Sequence, residues 1–152
     1  MRYRGWGWAV HRSLMLGLVL PGALLPGCQK RGWLETYPVK GAVLVDGKPA
    51  KDVFVSFHPK EAVGDRPYLP SGQTNENGEF VLSTFVEGDG APAGEYDVTV
   101  TWPVRFNPIS TLWEGDKLNG RYRDQAKPAV TITIEKKRQE LAPFDLKSGG
   151  GR

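Results

Sequence analysis

Alternating apolar and polar residues indicate the clearest strand of this chain, which runs from Glu95 to Trp102. The apolar positions are Tyr96, Val98, Val100 and Trp102, and the polar positions between them are Glu95, Asp97, Thr99 and Thr101. A period of two residues is typical of a strand with one buried face. The glycine-rich stretch before it, 88–94, predicts the turn that leads into this strand.

The same alternation recurs in short stretches that are separated by turn-forming residues. The other predicted inward faces are Val39, Gly41, Val43 and Val45; Val53, Val55 and Phe57; Phe80 and Leu82; Val130, Ile132 and Ile134; Phe144 and Leu146; a further short strand is expected at 72–74. Asp46-Gly47 and Asn77-Gly78 favour tight hairpin turns, because both residue pairs tolerate positive φ angles. About seven short strands at this spacing predict an all-β fold, an antiparallel Ig-like β-sandwich.

The segment 103–128 departs from this pattern, at about twice the length at which a structureless loop becomes unusual in a compact domain. It contains three aromatic and three arginine residues, which are Phe106, Trp113, Tyr122, Arg105, Arg121 and Arg123. In one interpretation Trp113 and Tyr122 cap an open end of the sandwich, while the arginines pair with Glu114, Asp116 and Asp124. In the other, the segment forms a stacking and hydrogen-bonding surface for sugars, peptides or anionic polymers.

We favour capping for part of this segment and expect a partner-binding site in the part that stays exposed. The residues predicted to form that site are Phe106, Trp113, Arg121, Tyr122 and Arg123.

The N-terminal residues have the features of a targeting segment. Arginines at positions 2, 4 and 12 precede an apolar run from Leu14 to Leu25, which is too short to span a bilayer comfortably. The run ends in Leu25-Pro26-Gly27-Cys28, which resembles the lipobox of bacterial lipoproteins and contains the only cysteine of the chain. The resemblance implies cleavage after residue 27 and lipidation of Cys28. An ordinary secretory signal and an uncleaved anchor are the alternatives.

Removing residues 1–27 changes the charge of the chain. The whole sequence has 20 Lys and Arg against 17 Asp and Glu, and the three arginines of the signal are the only charges lost. The mature protein is therefore neutral, which takes away the basic excess that nucleic-acid-binding domains usually carry. We predict one sandwich domain at 38–147, a lipidated tether at 28–37 and a disordered tail at 148–152.

Few side chains of the mature chain suit catalysis or metal binding. It keeps one cysteine and one histidine, His58, so we expect no zinc, haem or iron–sulfur site, no cofactor and no catalytic set. Asp46, Asn75, Asn77 and Asp89 offer oxygen ligands, but their spacing matches no calcium loop and turns favour the same residue types. We expect His58 to lie on the outer face of its strand, which argues against a serine triad.

Three stretches follow one another in a characteristic order: Gly41 to Pro49 with Val53 to Pro59, then Thr74 to Phe80, then Pro92 to Val100. Together they resemble the carboxypeptidase regulatory-like domain, a transthyretin-like sandwich found in small bacterial lipoproteins. The resemblance implies a domain that is generally non-catalytic. Transthyretin-like hydrolases use several histidines, an arginine and a tyrosine-rich C-terminal tetrapeptide, which this chain lacks.

These features together predict an exported protein that is lipid-anchored to a membrane facing the periplasm or the cell exterior. Its sandwich is expected to be a non-catalytic binding module for an unknown envelope protein or glycan. Two alternatives stay open: a small-molecule or peptide hydrolase that uses His58, and a structural module that self-associates through an edge strand.

Overall fold

The computed structural model describes residues 34–149, except 62, 63, 65, 66, 108, 110 and 111. The side chains of Phe106, Asn107 and Trp113 are also outside the description. The described residues all belong to one unit, Gly32–Arg152. The predicted signal peptide, the lipidation site Cys28 and residues 150–152 of the predicted tail lie outside the described residues.

The described chain forms short β-strands joined by turns. In chain order they are β1 (Thr36–Tyr37), β2 (Val39–Val45), β3 (Lys48–Pro49), β4 (Phe54–Pro59), β5 (Ser71–Gln73), β6 (Glu79–Val81), β7 (Ala91–Pro92), β8 (Gly94–Thr101), β9 (Arg105–Asn107), β10 (Leu112–Glu114), β11 (Val130–Ile134), β12 (Gln139–Glu140) and β13 (Phe144–Leu146). Each of the seven strands expected from the alternation has a counterpart among them. Within the described part, no helix is long and apolar enough to span a membrane.

Two sheets form the sandwich. The first has the order β11-β8-β4-β5, and all of its pairs are antiparallel. The second is built around β2, which pairs with β6 and β3 on one side and with β12 and β13 on the other. The predicted all-β sandwich is confirmed by this strand pairing.

The pairs of β2 with β12 and β13 differ from the predicted antiparallel arrangement, because both are parallel. The reason is the path of the chain after β11. The turn at 135–138 crosses from the first sheet to the second, and the chain then runs beside β2 in the direction of β2. A continued meander within one sheet would have kept every pair antiparallel.

The core consists of the predicted inward faces. Tyr96, Phe57 and Phe80 are the largest side chains that are essentially fully buried. The ring centroid of Phe57 lies 6.1 Å from that of Tyr96 and 6.3 Å from that of Phe80, at tilted angles that aromatic pairs favour. The Tyr96 hydroxyl donates to the carbonyl of Pro92 at 2.8 Å, and burial raises the pKa of this phenol well above its ordinary value.

The two predicted hairpin turns have different outcomes. Asp46 and Gly47 both adopt positive φ, 51° and 76°, and join β2 to its antiparallel neighbour β3, as expected. Gly78 also has positive φ, 74°, but the strands on either side of that turn enter different sheets. Asn77-Gly78 therefore forms a turn between the two layers of the sandwich.

Candidate partner-binding site

The carboxylate of Asp116 organises the segment 103–128. Its Oδ1 accepts the N–H groups of Trp102 and Leu118, both at 3.0 Å, and its Oδ2 accepts the N–H of Gly120 at 2.9 Å. The side chain of Leu118 is completely buried and joins the core. One carboxylate and one apolar side chain therefore attach this segment to the sandwich.

Strands β9 and β10 form a hairpin within this segment that belongs to neither sheet. The guanidinium of Arg105 donates to Glu114 Oε2 from Nε at 3.0 Å and from Nη2 at 2.8 Å. The N–H of Val104 donates to the carbonyl of Glu114 at 3.0 Å. An exposed ion pair stabilises by less than about 1 kcal/mol, so this one adds only modestly to the backbone pairing of the hairpin.

Exposed apolar side chains are concentrated on this hairpin. Val104 is 57% exposed, Leu112 is 63% exposed and Ile109 is 94% exposed. They are three of the six large apolar side chains that are exposed in the described part of the chain. We call Val104, Ile109 and Leu112 the hairpin surface. Three exposed apolar side chains on one hairpin make it a candidate interaction site.

The five predicted site residues fall into two groups. Phe106 and Trp113 are directly opposite each other in the β9–β10 register. The structure describes the backbone of these two residues but not their side chains. Arg121, Tyr122 and Arg123 lie in a turn that follows Leu118. The fold thus separates a hairpin pair from a turn group.

Tyr122 and Arg121 contact the C-terminal residues of the described chain. Tyr122 is partly buried against the core, and its hydroxyl accepts the N–H of Lys147 at 3.1 Å. The Arg121 guanidinium lies against Gly149, where an added Cβ would be 2.5 Å from Nη2 unless the arginine side chain moved. The Ser148 hydroxyl donates to Asp46 Oδ2 at 2.5 Å, and this hydrogen bond lowers the pKa of Asp46. Tyr122 therefore packs on the sandwich, and its hydroxyl reaches Lys147.

Among the described residues, the predicted ion pairs of the arginines form only in part. Arg105 pairs with Glu114, whereas Asp116 is used by backbone N–H groups and Asp124 Oδ1 accepts the N–H of Ala126 at 2.9 Å. Asp116 and Leu118 were not among the predicted site residues. The turn signal Asn119-Gly120 after Asp116 could have indicated them.

The hairpin surface and the N-terminal end of the described chain lie at opposite ends of β8. β1, with Thr36 and Tyr37, pairs with β7 immediately before β8 begins at Gly94. β9 begins shortly after β8 ends at Thr101. Eight strand residues rise about 25 Å. The hairpin is therefore held about one sandwich length from the point where the chain enters the fold.

His58 lies on the outer face of the first sheet, as predicted. Its Nε2 is 2.8 Å from Thr99 Oγ1, and Thr99 is only 8% exposed. Asp97 is opposite His58 in the β4–β8 register. The Asp97 carboxylate accepts the Thr131 hydroxyl at 2.7 Å and lies 3.7 Å from the Lys60 ammonium.

The turn residues considered as oxygen ligands take part in backbone hydrogen bonds. The Asp89 carboxylate accepts three N–H groups, from Thr84 at 2.7 Å, Phe85 at 3.0 Å and Val86 at 3.2 Å. Asn75 Oδ1 accepts the N–H groups of Asn77 and Glu79. In the part of the chain that the structure describes, no three His, Cys, Asp or Glu side chains converge.

Two cavities open on the surface of the sandwich. One, of about 260 Å³, is lined by Pro59, Glu61, Tyr68, Ala93, Gly94, Glu95 and Tyr96. The other, of about 280 Å³, lies between the edges of the two sheets, at β11 and β13. Both are small for a small-molecule site, and neither includes His58 or the hairpin surface.

No protein-family model matches the chain, and no curated protein matches it at a significant level. Among solved structures, it is similar to the 5-hydroxyisourate hydrolase of Klebsiella pneumoniae, with 18% identity, over 78% of this chain and 91% of that one, at a TM-score of 0.37. A likeness of this size is too weak to support an inference about this chain. The β-sandwich is established by its own strand pairing.

Proposed function

We propose that the chain is a lipid-anchored, non-catalytic binding module of the cell envelope, whose hairpin surface contacts an envelope protein or glycan. The observation that supports this most is the exposure of Val104, Ile109 and Leu112 on one hairpin. Such a surface loses contact with water when a partner covers it, which favours binding. The resemblance of the N-terminal residues to a lipobox supports the anchor.

The position of the hairpin fits this proposal. A lipidated Cys28 would hold the end of the sandwich where β1 enters close to the membrane. Because the hairpin surface lies at the other end of β8, it would face away from the bilayer. The residues between Cys28 and Thr36 would then act as a short spacer.

The anchor is tested by the variant Cys28→Ala in the full chain. We expect the wild-type protein in the membrane fraction and the variant in the soluble fraction, because lipid chains on the cysteine supply the membrane affinity. Immunoblotting of the separated fractions measures this, and Ser148→Ala serves as a control that keeps the lipobox. A Cys28→Ala variant that stays with the membranes would refute the anchor.

The hairpin surface is tested by a photo-crosslinking amino acid at position 112 in cells. We expect discrete crosslinked products from this position and none from position 87, where Glu87 is exposed at the opposite end of β8. Protease and glycosidase digestion of the products distinguishes a protein partner from a glycan. Equal products from both positions, or none from position 112, would contradict the proposal.

A second candidate, a hydrolase, is favoured by the contact between His58 Nε2 and the Thr99 hydroxyl at 2.8 Å. This distance is within reach for a base and a nucleophile. Its test is hydrolysis of a generic nitrophenyl ester by wild type, His58→Ala and Thr99→Val. A rate that falls in both variants would favour the hydrolase, and equal rates in all three would refute it.

A further inference from the structure

The two edges of the first sheet differ in their backbone hydrogen bonding. At the β5 edge, the N–H and carbonyl of Ser71 bond to the carbonyl and N–H of Ser83, at 3.0 Å and 2.9 Å. At the other edge, β11 pairs with β8 on one side and with no other strand of the described chain. β11 is therefore the open edge of this sheet.

The hydrogen-bond pattern shows which backbone groups of β11 face outward. The Val98 carbonyl and the Val100 N–H bond toward the β11 side, to Ala129 N–H and the Tyr122 carbonyl, both at 2.8 Å. Because Val98 is opposite Val130 in the register, the even-numbered residues of β11 bond to β8. The backbone groups of Thr131 and Thr133 consequently point away from the sheet.

Within the described residues, only one of these outward backbone groups of Thr131 and Thr133 has a hydrogen-bond partner. Gln139 Nε2 reaches the Thr133 carbonyl at 3.4 Å, a long contact. This leaves the N–H and carbonyl of Thr131 and the N–H of Thr133 for a strand that approaches from outside. An incoming strand would find a short row of donors and acceptors with the spacing of a sheet edge.

An apolar groove runs beside this edge. Its cavity of about 280 Å³ is lined by Val130 and Ile132 on the first sheet and by Phe144 and Leu146 on the second. Val130 and Ile132 are only partly buried, although their side chains face inward. A strand added to β11 would place every second side chain over this groove.

The sequence of β11 lacks the features that usually protect an exposed edge. Val-Thr-Ile-Thr-Ile contains no charged residue and no proline, whereas natural edges commonly carry lysine, proline or a bulge. Charges are found on both flanks instead. Lys127, Lys136 and Arg138 are exposed and form no ion pair within the described residues, while Glu135 pairs with Lys137 at 2.6 Å.

We propose that β11 accepts an extended segment of another protein as an additional antiparallel strand. The segment is apolar at alternate positions, which fill the groove, and acidic at its ends, which face the basic flanks. Main-chain hydrogen bonds supply affinity in this mode of binding, and the alternate side chains supply specificity. A second copy of this chain would bring the same basic flanks to the interface, whereas an acidic segment neutralises them. The site does not depend on the hairpin surface or on the lipid anchor.

The test uses the full chain and a labelled synthetic peptide. The peptide has alternating threonine and valine residues with glutamates at both ends. We expect saturable binding by fluorescence anisotropy and slower hydrogen exchange at the Thr131 and Thr133 amides. A peptide with the same side chains but methylated backbone nitrogens should not bind. Absence of saturable binding, or protection only at other amides, would overturn the proposal.

Two protein variants separate the backbone contact from side-chain effects. Thr131→Pro removes an outward N–H at a position where an edge strand tolerates proline, and should weaken peptide binding about tenfold or more. Thr131→Val keeps that N–H, loses only the hydroxyl contact with Asp97, and should bind like wild type. Equal affinity of Thr131→Pro and wild type would overturn the proposal.

Charge reversal and oligomeric state complete the test. Lys136→Glu combined with Arg138→Glu should weaken the glutamate-ended peptide and favour a lysine-ended one. A concentration-dependent dimer in sedimentation experiments that disappears in Thr131→Pro would identify a second copy as the occupant and overturn the proposal. Crosslinking at position 112 is unaffected in every case, so failure here is distinct from failure of the hairpin surface.

Discussion

One buried hydroxyl, that of Thr74, connects two parts of the chain. Thr74 Oγ1 donates to the Ala50 carbonyl at 2.6 Å and accepts the Val53 N–H at 2.8 Å, and the residue is 2% exposed. Backbone bonds between Thr74 and both Val53 and Asp52 lie beside it. The hydroxyl therefore holds the turn at 50–53 against the start of the Asn75 turn.

The variant Thr74→Val keeps the volume of this side chain but leaves two buried backbone groups without a partner. We expect it to lower the free energy of unfolding by about 3 kcal/mol, since each unsatisfied buried group costs about 1–3 kcal/mol. Urea denaturation of the purified domain measures this. Thr74→Ser retains the hydroxyl and should lose much less, and equal losses in both variants would show that the hydrogen bonds are unimportant.

The contact between Asp46 and the C-terminal residues 147–149 should depend on pH. The hydrogen bond from Ser148 lowers the pKa of Asp46 below its ordinary value of 3.8. A carboxyl whose folded pKa is lowered contributes stability above the unfolded pKa and loses it as pH falls through the folded pKa. The contact of residues 147–149 should therefore be intact above pH 3.8 and weaken below it. A carboxyl NMR titration measures this, and Ser148→Ala should raise the Asp46 pKa toward its ordinary value.

Sequence patterns predict some residues well and others poorly, for a physical reason. Inward positions such as Val43, Phe57 and Tyr96 follow from the period of two, because a half-buried strand separates its faces by parity. Asp116 and Leu118 do not follow a period. Their roles depend on three N–H groups and a core position that only the folded chain brings near them.

Gly41 and Phe80 show how two elements determine each other. They are opposite each other in the β2–β6 register, and a Cβ at position 41 would lie 2.5 Å from Phe80 Cζ. The Phe80 ring therefore covers the backbone of β2 where a side chain is missing. The alternation predicted that position 41 faces inward but did not explain why it is a glycine. The contact with Phe80 explains it, because a larger residue would collide with the ring.

The variant Gly41→Ala should force the Phe80 ring to move and destabilise the fold by about 1–3 kcal/mol. Thermal or urea unfolding measures the loss. Combined with Phe80→Leu, the alanine should cost less than it does alone, because contacting residues are not additive. Strict additivity of the two changes would contradict the contact.

The positions of the strands were easier to predict than their pairing. The alternation located β2, β4, β8 and β11 within one or two residues, yet it contained no information on which sheet β6 joins or on the direction of β13. Strand pairing is decided by contacts between residues far apart in the chain. An alternating pattern cannot predict it, because the same pattern fits any neighbouring strand. The β9–β10 hairpin was missed because three-residue strands are too short to show a period.

At the scale of the whole molecule, the two proposed surfaces lie at different places on one scaffold. The hairpin surface lies beyond the end of β8, whereas the β11 edge runs along the side of the first sheet. A partner at one surface leaves the other accessible. The two proposals are therefore compatible with two different ligands bound at the same time.

The parallel pairing of β2 with β13 has a mechanical consequence. β2 follows directly from the N-terminal end of the described chain, and β13 runs beside it in the same direction. A pull on that end directed along β2 would act along both strands. Their backbone hydrogen bonds are then loaded in shear, all at the same time, instead of being peeled apart one after another.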